Sequence, residues 1–77
     1  MNPGTIGNRA YSECIRIFGG VAEAAKALET SARTVIYRWN DTGCPHAYFL
    51  SKLYLAGADI KYILTGEREN ENQNTEN

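Results

Sequence analysis

The sequence lacks the features that define several classes of protein. No apolar run in its 77 residues approaches the roughly 20 needed to cross a bilayer, and the N-terminus has no basic segment followed by an apolar one, as a secretory signal would. Its two cysteines, Cys14 and Cys44, are fewer than a disulfide-stapled secreted domain usually carries. We therefore expect two free thiols and a cytoplasmic protein.

Residues for catalysis and metal binding are also scarce. His46 is the single histidine, and no pair of a nucleophile and a base is recognisable. Zinc needs about four ligands, whereas the stretch "CPH" offers only Cys44 and His46. The Gly19-Gly20 pair lacks the Gly-Lys-Ser/Thr ending of a phosphate-binding loop. The sequence predicts no enzyme, no metal site, no cofactor and no small-molecule substrate.

Charge is low and unevenly distributed. The formal net charge is -1, yet residues 67–77 contain four Glu and one Arg, which leaves residues 1–66 with seven basic and five acidic side chains, or +2. We expect residues 67–77 to be a disordered, polar and acidic tail, because they offer no apolar side chain for burial. On this view, removal of residues 68–77 leaves thermal stability almost unchanged.

Local patterns predict a compact all-α domain at residues 8–66, preceded by a flexible N-terminus at 1–7. Glycines and Pro45 separate apolar stripes of helical period, and no strand-like alternation occurs. The predicted helices span residues 8–18, 21–28, 32–40, 45–56 and 60–65. Their expected inward residues include Tyr11, Ile15 and Phe18, then Val21, Ala25 and Leu28, then Leu50, Leu53 and Tyr54, and finally Ile60, Ile63 and Leu64.

The third predicted helix has an apolar face and a polar face. At about 100° per residue, Val35, Ile36 and Trp39 fall on the side that turns towards the core. The opposite side collects the hydrogen-bonding residues Arg33, Thr34, Tyr37 and Asn40, with Arg38 on its flank. Arginine suits guanine, asparagine suits adenine, and threonine or tyrosine reaches a base or a phosphate. This face predicts base reading in a major groove, although an exposed helix face is polar in most soluble proteins.

Three residues near this helix are candidates for phosphate contacts. Ser31, at the helix N-terminus, stands among backbone N–H groups that suit a phosphate oxygen. Lys26 lies in the preceding helix, and His46 is expected in the first turn of the fourth helix. A helix that crosses the DNA backbone and a helix that enters the groove are the two parts of a helix-turn-helix motif.

Two stretches resemble a known family. "VAEAAKALETSARTVIYRW" resembles the helix-turn-helix of phage repressors of the Cro/CI type, also called XRE-like, and "FLSKLYLAGADIKYILTGER" looks like the segment that follows it in many of these regulators. Together they cover roughly residues 20–68. The resemblance implies a five-helix, lambda-repressor-like fold that binds double-stranded operator DNA as a phage or prophage transcriptional repressor, associated with the nucleoid of a bacterial host cell.

The chain departs from this family at two points. The family usually has glycine after the second helix, where this chain has Glu29, and the stretch from Leu28 to Trp39 is one residue longer than usual. Alignment from Leu28 would place Arg38 in the core, where an unpaired charge is costly. Alignment from Trp39 turns Ile36 and Trp39 inward, and we adopt this register.

The resemblance also implies a homodimer, since two subunits related by a two-fold axis read half-sites about 34 Å apart. Aromatic residues are enriched at interfaces, and the candidates in the last two helices are Tyr48, Phe49, Tyr54, Leu55 and Tyr62. The chain would be a one-domain regulator or the operator-binding part of a larger repressor. The alternative is a protein-binding module on the same fold, such as an adaptor, antirepressor or antitoxin-like partner, which the weak net charge favours.

Overall fold

Five helical segments make up residues 4–68, the part of the chain that the computed structural model describes. Helices α1 (Ile6–Phe18) and α2 (Val21–Leu28) precede a third segment, in which a wide π-type turn (Ala32–Ile36) continues into α3 (Tyr37–Asp41). Helices α4 (Ala47–Leu55) and α5 (Ile60–Thr65) follow. No strand occurs within this range, so the predicted all-helical fold is confirmed. No helix among these residues is long and apolar enough to cross a membrane.

Helix α1 begins two residues before the predicted start. The Thr5 hydroxyl accepts a hydrogen bond from the Asn8 N–H, and Asn8 Oδ1 accepts one from the Thr5 N–H, both at 3.1 Å. This reciprocal cap satisfies two backbone donors that the first turn would otherwise leave unpaired. Residues 4–7 therefore belong to the folded domain, and the predicted start at residue 8 was wrong. Residues 1–3 lie outside the described range.

Most helix ends follow the capping signals in the sequence. The bounds of α2 and α5 are those predicted, and Asp59 caps α5 by accepting the Tyr62 N–H at 2.9 Å. Helix α4 is shorter than the predicted 45–56. The backbone of His46 is extended (φ -87°, ψ -179°), which makes His46 the N-cap and leaves Pro45 before the helix. His46 is therefore at the helix boundary and not within its first turn.

Helix α1 lies at the centre of the fold and packs against α2, the third segment and α5. Its most buried apolar residues are Ala10 and Cys14. The face of α1 that these two residues define leaves Ile15 partly exposed to solvent. The inward predictions for Ile15, Tyr54 and Leu64 were wrong, since all three side chains are exposed. The core consists of Ala10, Cys14, Ala24, Ala25, Leu28, Ile36, Trp39, Leu53, Ala58 and Ile63. Both cysteines are free thiols, as predicted.

The buried carboxylate of Glu13 connects α1 to the start of α5 and to Arg68, which follows α5. Glu13 is fully buried, and its two oxygens accept hydrogen bonds from Arg16 (2.7 and 3.0 Å), from the Asp59 N–H (2.9 Å) and from Arg68 Nη2 (2.9 Å). Burial by itself raises the pKa of this carboxyl, but the hydrogen bonds from Arg16, Asp59 and Arg68 outweigh it and lower the pKa to about 2.

Arg68 is part of the folded body. Besides its bond to Glu13, its guanidinium lies 3.9 Å from the centre of the Tyr62 ring and 3.5 Å from Asp59 Oδ2. The sequence placed Arg68 in a disordered tail because its neighbours are polar, but its partners Glu13, Asp59 and Tyr62 are 55, 9 and 6 positions away in the chain. A chain without Arg68 loses these contacts, so removal of residues 68–77 is now expected to lower thermal stability, in place of the almost unchanged stability expected from the sequence. Residues 69–77 lie outside the described range.

Arg9, the second buried charge on α1, caps the end of α5. Its Nε donates to the Ile63 carbonyl at 2.9 Å, and its Nη2 donates to the Leu64 carbonyl at 3.4 Å. A third bond runs from Nη1 to the Gly4 carbonyl. The last carbonyls of a helix have no partner within the helix and carry partial negative charge. Arg9 therefore stabilises α5 and holds it, together with the chain start, against α1.

Candidate nucleic-acid interface

The third helical segment presents a polar face to solvent. Ile36 and Trp39 are buried in the core, as the register based on Trp39 requires, and Arg38 lies on the surface. Val35 and Ala32 are half-buried beside them. The five side chains that the sequence assigned to base reading are all exposed: Arg33, Thr34, Tyr37, Arg38 and Asn40.

A wide turn at the start of this segment explains how Ile36 and Trp39 stay buried while the polar residues stay exposed. The Tyr37 N–H donates to the Ala32 carbonyl, five residues back, where an α-helix would bond four residues back. The segment begins at Ser31, whose hydroxyl accepts the Thr34 N–H at 3.2 Å. One additional residue fits in such a turn. The extra residue between Leu28 and Trp39 is therefore accommodated without rotating Trp39 out of the core.

The turn between α2 and the third segment has left-handed backbone at a non-glycine residue. Glu29 has φ 56° and ψ 48°, and within residues 4–68 it is the single non-glycine residue with positive φ. Its N–H closes the end of α2 on the Lys26 carbonyl at 3.2 Å. The Cβ atom of an L-residue makes this conformation unfavourable by roughly 1–2 kcal/mol. Position 29 thus has the left-handed conformation that glycine favours, although the residue there is glutamate.

Replacing Glu29 with glycine is expected to stabilise the protein by up to about 1 kcal/mol. Glycine removes the left-handed strain, and this gain exceeds the roughly 0.4–1 kcal/mol lost to the freer unfolded chain. The ion pair of Glu29 with Lys52 (3.7 Å) is mostly exposed to solvent and contributes little. Urea denaturation measures the change. Glu29→Ala, which loses the same ion pair but keeps Cβ, is the control; equal stability of the two variants would contradict the assignment of strain.

Helix α1 borders one flank of the polar face. The Tyr11 and Tyr37 rings lie 6.0 Å apart between centroids, and Asn8 Nδ2 donates to the backbone oxygen of Asn40 (2.8 Å) and to its Oδ1 (3.2 Å). Sequence reasoning missed Asn8 and Tyr11 as parts of this site. They are 32 and 26 positions from their partners, and no local pattern indicates such a contact.

An open cleft borders the other flank. It runs between the third segment and the loop before α4, and its floor is apolar where Trp39 meets Phe49 edge-on at 5.4 Å. His46 stands at its rim, 5.1 Å from the Phe49 ring, and is exposed. The lining residues are Thr34, Val35, Arg38, Trp39, Gly43, Cys44, His46 and Phe49. The position of His46 beside Arg38 suits its predicted contact with a phosphate.

The charges on this side of the protein are not neutralised by neighbours. Among the described residues, the ion pairs join Glu13, Asp59 and Glu29 to Arg16, Arg68 and Lys52. Arg33 and Arg38 form no ion pair with any residue from 4 to 68 and are exposed, as is Lys26 on α2. Within residues 4–68 the third segment thus carries two guanidinium groups without an ion-pair partner, together with the exposed carboxylate of Asp41 at its end.

The residues predicted for a dimer interface fall into two groups. Tyr48, Tyr54 and Leu55 are exposed, with 66% of Tyr54 and 82% of Leu55 accessible. Phe49 is half-buried between Trp39 and His46, and Tyr62 is half-buried beneath Arg68. Phe49 and Tyr62 already have contacts within the chain, so the predicted interface residues that remain available to a second subunit lie on α4, Tyr48 at its start and Tyr54 and Leu55 at its end.

No group of three or more His, Cys, Asp or Glu side chains converges between residues 4 and 68 as a metal site would require. No protein-family model, no curated protein and no solved structure matches this chain.

Proposed function

We propose that this protein binds double-stranded DNA sequence-specifically, as a dimeric transcriptional repressor of the phage Cro/CI type with a lambda-repressor-like helix-turn-helix. The observation that carries the proposal is the third segment: Ile36 and Trp39 anchor one side in the core, and the other side exposes five hydrogen-bonding residues. A helix fits the major groove, where side chains reach base edges. The guanidinium groups of Arg33 and Arg38, which form no ion pair within residues 4–68, add attraction to phosphates.

In this proposal the parts of the domain have separate roles. Arg33 and Tyr37 enter the groove with Thr34 and Arg38, while α2 crosses the DNA backbone. Lys26 on α2, Ser31 at the turn and His46 at the cleft rim contact phosphates on either side. The Ser31 hydroxyl accepts the Thr34 N–H, which orders the start of the segment, and its own O–H is the donor that would contact a phosphate oxygen. Tyr48, Tyr54 and Leu55 offer the apolar surface for pairing of two subunits.

The first experiment is selection of bound sites from a pool of random duplex DNA. A palindromic consensus with half-sites about one helical turn apart is the expected result, because a two-fold dimer places its two reading helices at that spacing. A reproducible but non-palindromic consensus would support DNA reading and contradict the dimer. Failure to enrich any sequence would contradict the proposed function.

Arg33→Ala is expected to weaken binding to the selected site by about 1–3 kcal/mol and to relax base preference at one position. The reason is the loss of a bidentate donor pair that suits guanine. Fluorescence anisotropy with labelled duplex measures the affinity. Lys61→Ala on α5 is the control, since it removes a cation outside the third segment. If both Arg33→Ala and Tyr37→Ala bind as the parent does, the reading face is wrongly assigned.

The protein-binding alternative is favoured by one observation, the exposed Tyr54 and Leu55 at the end of α4. A salt titration with random duplex DNA separates the two functions. Release of counterions from DNA makes the logarithm of affinity fall linearly with the logarithm of salt concentration, with a slope near 0.9 per phosphate neutralised. A slope near zero, or no binding at low salt, would favour the protein-binding module.

A further inference from the structure

The Asn8 side chain is oriented by two backbone groups. Its Oδ1 accepts the Thr5 N–H at 3.1 Å, and its Nδ2 donates to the Asn40 carbonyl at 2.8 Å. A backbone N–H only donates and a carbonyl only accepts, so these two contacts determine which end of the Asn8 amide is nitrogen. The orientation of Asn8 is therefore set by the main chain and does not depend on any other side chain.

This orientation determines that of Asn40 in turn. Asn8 Nδ2 also faces the Asn40 amide, at 3.2 Å, and the atom that receives its N–H has to be Oδ1. The Asn40 Nδ2 group is left as the free end of the amide, and it forms no hydrogen bond with residues 4–68. Asn40 is exposed on the same segment as Tyr37 and Arg33. Asn40 therefore offers a ligand its Nδ2 donor, while one of the two acceptor sites on Oδ1 is taken by Asn8.

We propose that Asn8 is a positioning residue that makes Asn40 select guanine rather than adenine, an inference that rests on the proposed DNA binding. An unrestrained asparagine pairs with adenine because it donates to N7 and accepts from N6. Asn8 takes one acceptor site of Asn40 Oδ1 and restrains the orientation of the amide, so the bidentate pair with adenine, which needs Oδ1 to accept from N6, is weakened. Guanine presents two acceptors, N7 and O6, and either of them can receive an N–H of Nδ2 without any demand on Oδ1. The expectation from the sequence that Asn40 suits adenine is reversed by this contact.

The orientation of the pair can be tested without DNA. In ¹⁵N-labelled protein, the side-chain amide protons of Asn8 are expected to exchange with solvent more slowly than those of Asn40, because both Asn8 protons have acceptors and those of Asn40 do not. NMR measures both rates in the folded parent protein. Slower exchange at Asn40 than at Asn8 would show the opposite orientation and overturn the proposal.

The base preference is tested by site selection with four proteins: the parent, Asn40→Ala, Asn8→Ala and Thr5→Ala. Asn40→Ala should flatten one consensus position, at which the parent prefers guanine. Asn8→Ala frees Oδ1, so the adenine-to-guanine ratio at that position should rise about tenfold. Thr5→Ala removes the hydroxyl that accepts the Asn8 N–H, so it damages the same helix cap but leaves the Asn8–Asn40 contact. This variant should keep the base preference of the parent.

Each outcome distinguishes this inference from the function on which it rests. A parent consensus that is identical in Asn8→Ala, or that has adenine at the Asn40 position, would overturn the role of Asn8 and leave DNA binding in place. An unchanged consensus in Asn40→Ala would do the same, since Asn40 would then read no base. Absence of any consensus with the parent would overturn both.

Discussion

Replacement of Glu13 with glutamine is expected to lower the free energy of unfolding by about 3 kcal/mol near neutral pH. The buried carboxylate accepts four hydrogen bonds from three residues. Glutamine keeps the shape but turns an N–H group towards donors on Arg16, Asp59 or Arg68, which leaves donors unpaired. In a domain of this size such a loss removes a large part of the total stability.

The pH dependence of stability follows from the same carboxylate. The pKa of Glu13 lies at about 2 in the folded protein, below its ordinary value of 4.5. A depressed folded pKa means that the stabilisation is complete above the unfolded value and is lost as the pH falls towards the folded one. At about 1.4 kcal/mol for each pKa unit, the difference corresponds to about 3 kcal/mol.

Urea denaturation of the parent and of Glu13→Gln, followed by Trp39 fluorescence, measures this effect. The gap between the two proteins should be full at pH 7 and should shrink to below about 1 kcal/mol near pH 2.5. Glu23→Gln is the matched control, since Glu23 is exposed in the first turn of α2 and has no such network. A gap of the same size at both pH values would show that Glu13 contributes through packing and not through its charge.

The sequence predicted the helices that local signals define. Asp59 and Gly66 bound α5 through groups within four residues of the helix ends, and α2 ends where Leu28 meets Glu29. Interactions of this range depend on residue type and spacing, which the sequence displays. The start of α1 was missed although its signal is also local, because the cap uses asparagine at the third position where glutamate or glutamine is usual.

The buried charges of α1 could not be predicted by the same means. A glutamate three residues before an arginine, as Glu13 is before Arg16, is the usual pattern of an exposed helix face. What buries Glu13 is the approach of Asp59 and Arg68, which are 46 and 55 positions away. Contacts of this range depend on how the helices pack, and no periodicity within α1 contains that information.

The features of the candidate interface that depend on local spacing were also predictable, and those that depend on the packing of helices were not. The inward turn of Ile36 and Trp39 followed from the spacing of apolar residues and the cost of burying Arg38. The wide turn that reconciles this register with the extra residue is a rare backbone form, and residue count alone indicated only that some adjustment was needed. The contact of Asn8 with Asn40 depends on how α1 docks beside the third segment, so the orientation of the Asn40 amide was visible only in the structure.

Gly7→Ala is expected to destabilise the protein by about 3 kcal/mol, at the upper end of the usual cost of overpacking. Gly7 is buried in the first turn of α1, where a Cβ atom would lie 2.2 Å from the carbonyl oxygens of both Trp39 and Gly43. Main-chain oxygens cannot rotate away as a side chain would. Helix α1 would therefore have to move from the end of the third segment, which is the contact that positions Asn8 and Tyr11.

Gly20→Ala is the matched control for this change. Gly20 has extended backbone that alanine adopts, and its added Cβ would meet only the flexible carboxylate of Glu23, so the expected cost is below about 1 kcal/mol. Urea denaturation gives the stabilities, and DNA affinity at a temperature where both variants are folded gives the second measurement. Gly7 is buried against the third segment and is not part of the proposed DNA-binding face, so Gly7→Ala removes no DNA contact directly. A folded Gly7→Ala protein with weakened affinity would mean that the close approach of α1 sets the reading face, whereas unchanged stability would contradict the approach itself.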